Sequence, residues 1–285
     1  MTNHQARSLE EIRRTMELAR EGINNPRPIP ASVPIKVGVD LGTAYTVIMV
    51  TDEHDRPLAG ASVFADVVRD GIVWDFAGAQ QVLRELKEKL EASINRSLTR
   101  GAVTIPPDVA GSSHRAHKYV LEGAGIECDH VVDEPTAANA ILGLSDGAVV
   151  DVGGGTTGIA IVRDGKVIKT IDEPTGGTHL SLVIAGAKGM SFADADKYKR
   201  TASNHKELYG IVLPVLQKIA SIVARAIEGE DVKTIHLVGG TAGFTGFEKI
   251  MTDVTGVPSV VAPDPILVTP LGVASWSPTQ IGDGR

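Results

Sequence analysis

The chain has 285 residues, 42% of them hydrophobic and 22% charged, with a formal net charge of −7. That is a soluble globular profile, long enough for one large domain or two lobes that each bury a core. The acidic balance, with no block of lysine and arginine, excludes an electrostatic nucleic-acid footprint. The single cysteine, Cys128, excludes an internal disulfide, a cysteine zinc site and a one-chain iron–sulfur cluster, and suits a reducing cytoplasm.

Residues 8–21, SLEEIRRTMELARE, read as a helix. Ser8 and Glu11 form a capping box, and Leu9, Ile12, Met16 and Ala19 recur at helical spacing as a narrow apolar stripe. The residues before it carry no signal-peptide core. Residues 23–34, INNPRPIPASVP, hold four prolines and read as a stiff linker, so the compact fold is expected to begin near Pro34. IKVGVD (35–40) and VIMVTD (47–52) read as strands joined by the glycine turn LGTAYT, a hairpin with Asp40 just before its tip. AGAQQVLRELKEKLEAS (77–93) reads as a helix, GAVTIPP (101–107) as a buried strand, and SSHRAHKYVLEGAG (112–125) as a helix. CDHVVDEPTAANAILG (128–143) reads as a short strand, a turn at Glu134-Pro135 and a helix.

GAVVDVGGGTTGIAIVRDGKVIKT (147–170) is a second hairpin, and residues 196–229 are expected to be helical with breaks, one of them at Pro214. The apolar run 210–227 is interrupted by Lys218 and Arg225 and reads as a buried helix, not a membrane span. KTIHLVGG (233–240) reads as a strand, FTGFEKIMTDV (244–254) as a helix and SVVAP (259–263) as a short strand. Strands alternating with helices indicate an α/β fold. Asp70-Gly71 and Asp164-Gly165 read as hairpin turns. Trp74 and Phe76 are expected in the core or at a lobe contact. The eight histidines show no metal-ligand spacing.

The two hairpins lie on one another without a gap: Asp40 falls on Asp151, Gly42 on Gly153 and Thr46 on Thr157, an offset of 111 positions (151 − 40). A tight turn alone would explain one glycine run. A repeated run with an aspartate at each strand end points to two walls of an anion site. Bare glycine backbone lets amides approach phosphate oxygens, and threonine hydroxyls add donors. A strand-end carboxylate, repelled by phosphate, can instead hold Mg²⁺ through water.

VGVDLGTAYTV resembles the first phosphate motif of the actin, Hsp70 and sugar-kinase superfamily, and VVDVGGGTTGIAIV resembles the second in its Hsp70-like form. DEPTAANAI is similar to the first connecting segment, IHLVGGTAGFTGFEKI to the adenosine motif, and PDPILVTPLGVA (263–274) to the second connecting segment. Five motifs in the family's order cover residues 35–275. Within the superfamily, ADVVRDGIVWDFAGA (65–79), DEPTAA and AIEGEDV (226–232) resemble the ethanolamine-utilisation protein EutJ family. The resemblance implies a two-lobed actin-like α/β ATPase fold, a duplicated ribonuclease H-like unit with a central cleft and an N-terminal helical extension. Residues 1–33 would be helix and linker, 35–146 with 265–277 the first lobe, and 147–264 the second.

The resemblance also implies a cofactor, ATP or ADP with Mg²⁺, and roles for single residues. Asp40 and Asp151 would organise the metal through water. Gly42, Thr43 and Ala44 would line one phosphate wall, and Gly153, Gly154, Gly155, Thr156 and Thr157 the other. Gly176 and Gly177 would add a nucleotide-side pair, and Gly239, Gly240 and Thr241 would pass under the adenosine. Glu134 would position water, with Asp40, Asp151 and Thr156 completing the catalytic set. The alternative reading of Glu134 is a helix-start residue favoured by the dipole.

The sequence departs from the Hsp70 pattern. Neither Lys87 nor Lys89 matches the family's first-lobe catalytic lysine, so hydrolysis is expected to be slow. The lobe insertions are short, and 13 residues follow Gly272, so no Hsp70-type peptide-binding domain is expected. The functions implied are an ATP-dependent chaperone or reactivating factor for a microcompartment enzyme, such as a cobalamin-dependent lyase; a nucleotide-gated scaffold or filament protein; or, least favoured, a small-molecule kinase. The N-terminal helix is expected to dock on such an enzyme or on a shell protein, the alternative being that it packs on its own lobe. The setting would be cytoplasmic, at a bacterial microcompartment, without nucleic acid or membrane.

Overall fold

The computed structural model describes residues 7–107 and 111–282. The chain opens with α1 (Leu9–Asn24), started by the capping box: Ser8 Oγ accepts the Glu11 N–H at 3.2 Å while Glu11 Oε2 accepts the Ser8 N–H at 2.7 Å. The linker follows, and then β1 (Ile35–Leu41), β2 (Tyr45–Asp52) and β3 (Pro57–Phe64) form an antiparallel meander. A small ribbon, β4 (Val68–Arg69) and β5 (Ile72–Val73), leads into α2 (Phe76–Ile94). Then come β6 (Arg100–Ile105), α3 (Gly111–Gly123), β7 (Glu127–Asp133) and α4 (Glu134–Leu142).

The second half repeats the plan. A meander of β8 (Gly147–Val152), β9 (Thr157–Arg163) and β10 (Lys166–Glu173) is followed by α5 (Gly177–Lys188), α6 (Phe192–Lys199) and α7 (His205–Ala226). β11 (Ile235–Val238), α8 (Phe247–Thr255), β12 (Ser259–Val261) and α9 (Pro265–Ala274) complete it. The two five-stranded sheets run β3-β2-β1-β6-β7 and β10-β9-β8-β11-β12, the same topology twice. Register is repeated as well: Asp40 pairs with Val47 and Asp151 with Gly158, each 111 positions on from its counterpart. This is the two-lobed α/β architecture that the resemblance implied.

Each sheet buries a core against its own helices. Val37, Val39, Leu83 and Leu121 pack in the first lobe, and Val150, Ile159, Leu208, Leu216 and Phe247 in the second. A third apolar cluster joins the lobes through α9, whose Leu267, Val268 and Leu271 meet Val47 and Met49 of β2, Ile141 of α4 and Val149 of β8. Close approach needs glycine here: a β-carbon on Gly272 would lie 1.9 Å from the Ala137 carbonyl oxygen of α4.

The apolar stripe of α1 belongs to this third cluster. Ile12, Met16 and Ala19 are 2%, 1% and 0% exposed, against the outer strand β3 and the α9 end of the first lobe. Arg20 adds two hydrogen bonds to Asp264, at 2.8 and 2.6 Å. The stripe expected to dock a partner is therefore used within the chain, because its burial there removes apolar surface from water. Residues 1–6 of the extension lie outside the described residues.

Other differences have local causes. α7 runs unbroken through Pro214, and the interruption falls instead at residues 200–204. Gly210, whose carbonyl loses its donor, and Pro214 are both exposed on α7, so that carbonyl can turn to water instead. By length and composition this helix could cross a membrane. Its apolar residues form one buried face in the second-lobe core, with Lys206, Gln217, Lys218 and Arg225 opposite. Trp74 and Phe76 are half exposed rather than buried, and Trp74 carries the Arg69 guanidinium 4.1 Å from its ring centroid.

Candidate functional site

The two hairpin turns face one another across the cleft between the lobes, and both close in the same way. The Gly42 N–H donates to the Tyr45 carbonyl at 3.0 Å, and the Gly153 N–H donates to the Thr156 carbonyl at 3.0 Å. An added β-carbon on Gly154 would stand 3.2 Å from Thr43 Cβ, and one on Gly155 would stand 2.8 Å from the Asp70 amide nitrogen and from Thr43 Oγ1. Thr43, Ala44, Gly154, Gly155 and Thr156 are thus brought together, with Asp70 of the β4–β5 turn beside them.

Behind the second turn stands α5. The Gly177 N–H donates to the Gly153 carbonyl at 3.0 Å, the Thr178 N–H to the Gly154 carbonyl at 2.7 Å, and Thr241 Oγ1 to the Gly153 carbonyl at 2.7 Å. In a trans peptide the N–H points opposite to the C=O. The amides of Gly154 and Gly155 are therefore turned away from α5. Gly176, Gly177 and Thr241 act at one remove, by bracing this turn from behind. Gly239, at φ +86°, is held against Asp151 and Val152, while Gly240 is exposed. Thr157 differs from its expected place: it is fully buried and its hydroxyl donates to the Thr175 carbonyl at 2.6 Å, inside the second lobe. Both faces of β9 are buried as far as Val162, so the Thr157 hydroxyl is committed to a partner inside the second lobe.

The strand-end aspartates are each held by one threonine. Thr104 Oγ1 donates to Asp40 at 2.5 Å and Thr269 Oγ1 donates to Asp151 at 2.5 Å. Glu134 heads α4 directly after Asp133, whose side chain caps the helix by accepting the Thr136 N–H at 2.9 Å. Burial pushes the Asp40 carboxyl up to about 6, against the pull of Thr104. It pushes Asp151 up to about 7, with Thr269 opposing and the charges of Asp40 and Asp172 adding to the rise. Glu134 is raised well above its ordinary value, first by burial, then by Asp151, Asp40, Asp172 and Asp133. Glu134 therefore shares the cleft floor with both aspartates. Such a group of carboxyls gains from a cation that stabilises their charged forms.

Among the described residues no three His, Cys, Asp or Glu side chains converge to hold a metal directly. Asp40 and Asp151 fit a magnesium ion that keeps its waters and arrives with phosphate. The first-lobe lysines lie elsewhere: Lys36, Lys87 and Lys118 pair with Asp55, Glu91 and Glu122, and Lys89 is exposed on α2. A second-lobe lysine does reach the site. Lys199 Nζ donates to the Gly177 carbonyl at 2.7 Å and to Ser181 Oγ at 2.8 Å, and pairs with Asp196 at 2.9 Å. Lys199, Asp172, Thr104 and Thr269 were absent from the residues expected from sequence.

A curated ethanolamine utilization protein EutJ from Salmonella typhimurium is 43% identical over 252 residues, 88% of this chain and 88% of its own. This chain belongs to the EutJ family. The crystal structure of the EutJ protein from Carboxydothermus hydrogenoformans superposes with a TM-score of 0.88, at 45% identity, over 94% of this EutJ-family chain and 99% of that one. Residues 60–186 match the MreB/Mbl protein family and residues 138–269 the type IV pilus assembly protein PilM family. The ADP-bound MreB5 of Spiroplasma citri superposes with a TM-score of 0.67, at 17% identity, over 85% of this chain and 95% of that one. The fold is therefore actin-like.

Proposed function

We propose that this EutJ-family chain binds MgATP or MgADP between its two hairpin turns and serves as a slowly hydrolysing, Hsp70-like chaperone or reactivating factor for an enzyme of an ethanolamine-utilisation microcompartment. The observation that carries the reading is the duplicated turn, matched in register, in closing hydrogen bond and in its threonine-held aspartate. A turn needed only to reverse the chain has no reason to keep all three twice. The ADP in the MreB5 structure and the operon sense of the EutJ name add support.

A bound magnesium nucleotide would supply the phosphoryl group and the positive charge that the acidic floor requires. The amides of Gly154 and Gly155 would donate to phosphate oxygens, and Asp40 and Asp151 would orient the metal's waters. Glu134 would hold the attacking water and take its proton, a role its raised proton affinity suits. Without a first-lobe lysine in the cleft, one source of charge stabilisation in the transition state is missing, and turnover would be slow. The setting would be cytoplasmic and at the microcompartment, and the client a microcompartment enzyme such as a cobalamin-dependent lyase, or a shell protein. Isothermal calorimetry with MgADP and MgATP tests the first step, and copurification from cells grown on ethanolamine tests the second. Binding without nucleotide-dependent release of a client would leave the chaperone role unsupported.

A further inference from the structure

Arg200 follows α6 in the second lobe, yet its guanidinium ends on the first. Nη1 donates to Tyr45 Oη at 2.5 Å, and the guanidinium carbon lies 4.8 Å from the Phe64 ring centroid and 5.5 Å from that of Tyr45. Tyr45 follows the first turn directly and meets Phe64 edge-on, with centroids 5.8 Å apart. The other side of the same guanidinium donates to Asp196 Oδ2 at 2.5 Å. Asp196 also takes Lys199 at 2.9 Å and the Ser181 hydroxyl at 3.0 Å. Lys199 in turn holds the Gly177 carbonyl, and Gly177 braces Gly153. A continuous series of contacts thus leads from the first turn, across the cleft, to the second.

The turns behind this bridge lie close together: a β-carbon on Gly154 would stand 3.2 Å from Thr43 Cβ of the first turn. A polyphosphate can pass in or out between them only if the lobes part. We propose that Arg200 is a latch between the lobes: it holds the cleft shut on Tyr45 and Phe64, must release for nucleotide to pass, and slows nucleotide loss after closing. The passage of nucleotide rests on the function proposed above, whereas the latch itself does not. Guanidinium-on-aromatic contacts at exposed sites are modest and reversible, which suits a gate. Arg200 is exposed and Phe64 is 52% exposed, so salt should weaken the latch.

The test uses the full chain in two arms. Hydrogen exchange without nucleotide compares wild type with Arg200→Ala, Arg200→Lys and Tyr45→Phe. Arg200→Ala should speed exchange in segments 42–46 and 153–157 while the cores stay protected. Release of a fluorescent ADP, followed by stopped flow, should quicken about threefold to tenfold in Arg200→Ala, with Arg200→Lys between the two. Arg163→Ala, which removes a surface pair with Glu230 inside the second lobe, should match wild type in both arms. Unchanged exchange at both turns in Arg200→Ala would overturn the latch, as would faster exchange spread evenly over the chain. If wild type holds no nucleotide, the binding reading fails and the exchange arm alone decides the latch.

Discussion

A β-carbon placed on Gly239 would stand 2.2 Å from Asp151 Oδ1 and 2.6 Å from the Val152 carbonyl oxygen, and Gly239 sits at φ +86°. The glycine of the adenosine motif therefore serves the second phosphate turn as well: it leaves room for the aspartate that Thr269 orients. Gly239→Ala should cost roughly 1–3 kcal/mol of stability through backbone strain and the displaced carboxylate. Urea unfolding should show a lower midpoint, and calorimetry a weakened MgADP response. A wild-type midpoint with normal binding would mean that the loop adjusts freely.

The N-terminal helix is expected to stabilise the fold. Ile12→Ala and Met16→Ala should each cost about 2–5 kcal/mol, the range for emptying a packed core position. Deleting residues 1–24 should lower the unfolding midpoint by at least as much as either substitution. Arg20→Ala should matter little, about 0–1 kcal/mol, since its side chain is 42% exposed. An unchanged midpoint after deletion would show that α1 is a free appendage, available to a partner after all.

Stability should depend on pH through Asp151. Its carboxyl titrates near 3.8 when unfolded and about 7 when folded, so between these values the folded state binds more protons. That contribution is complete below about 3.8 and is lost as pH rises through about 7. From about pH 5.5 to about pH 8, wild type should lose about 2 kcal/mol more stability than Asp151→Asn. Urea midpoints across that window check this, and parallel curves for the two proteins would contradict it.

Glu134→Gln separates binding from turnover. Glutamine keeps the shape and removes the cost of burying an ionisable carboxyl beside Asp151 and Asp40, so the protein without nucleotide should become more stable near neutral pH. Turnover should fall by about 100-fold, as for loss of a positioned base, with ATP affinity nearly intact. Single-turnover phosphate release is the measurement, and equal rates would remove Glu134 from the catalytic set.

What could be read in advance was what lies close together in the chain. A strand, an aspartate, a glycine turn and a strand fit within 12 residues, so Asp40 and Asp151 declared themselves as a repeat, and the resemblance that the repeat carried implied two lobes. Glu134 was visible from the DEPTAA motif, whereas the Asp133 cap beside it emerged only in the fold. The threonines that hold the aspartates were not visible. Thr104 comes from the parallel neighbour β6 and Thr269 from α9, and no local pattern marks either. Nor was the fate of Thr157, whose hydroxyl meets the Thr175 carbonyl inside the second lobe. The α1 stripe was correctly seen as amphipathic, but periodicity shows that a face will be buried, not against what.

If the two matched turns bind a magnesium nucleotide, MgADP should raise the temperature at which the chain unfolds. A ligand at a hundredfold excess over its Kd stabilises the folded state by about 2.7 kcal/mol, which in a chain of this size should raise Tm by roughly 5–10 °C. The rise should require Mg²⁺. It should shrink sharply in Asp151→Ala and in Gly154→Val, whose added side chain would meet Thr43, and persist in Asp164→Ala at an ordinary hairpin turn. Unmoved melting of wild type with both MgADP and MgATP at millimolar concentration, together with no heat of binding, would contradict the account.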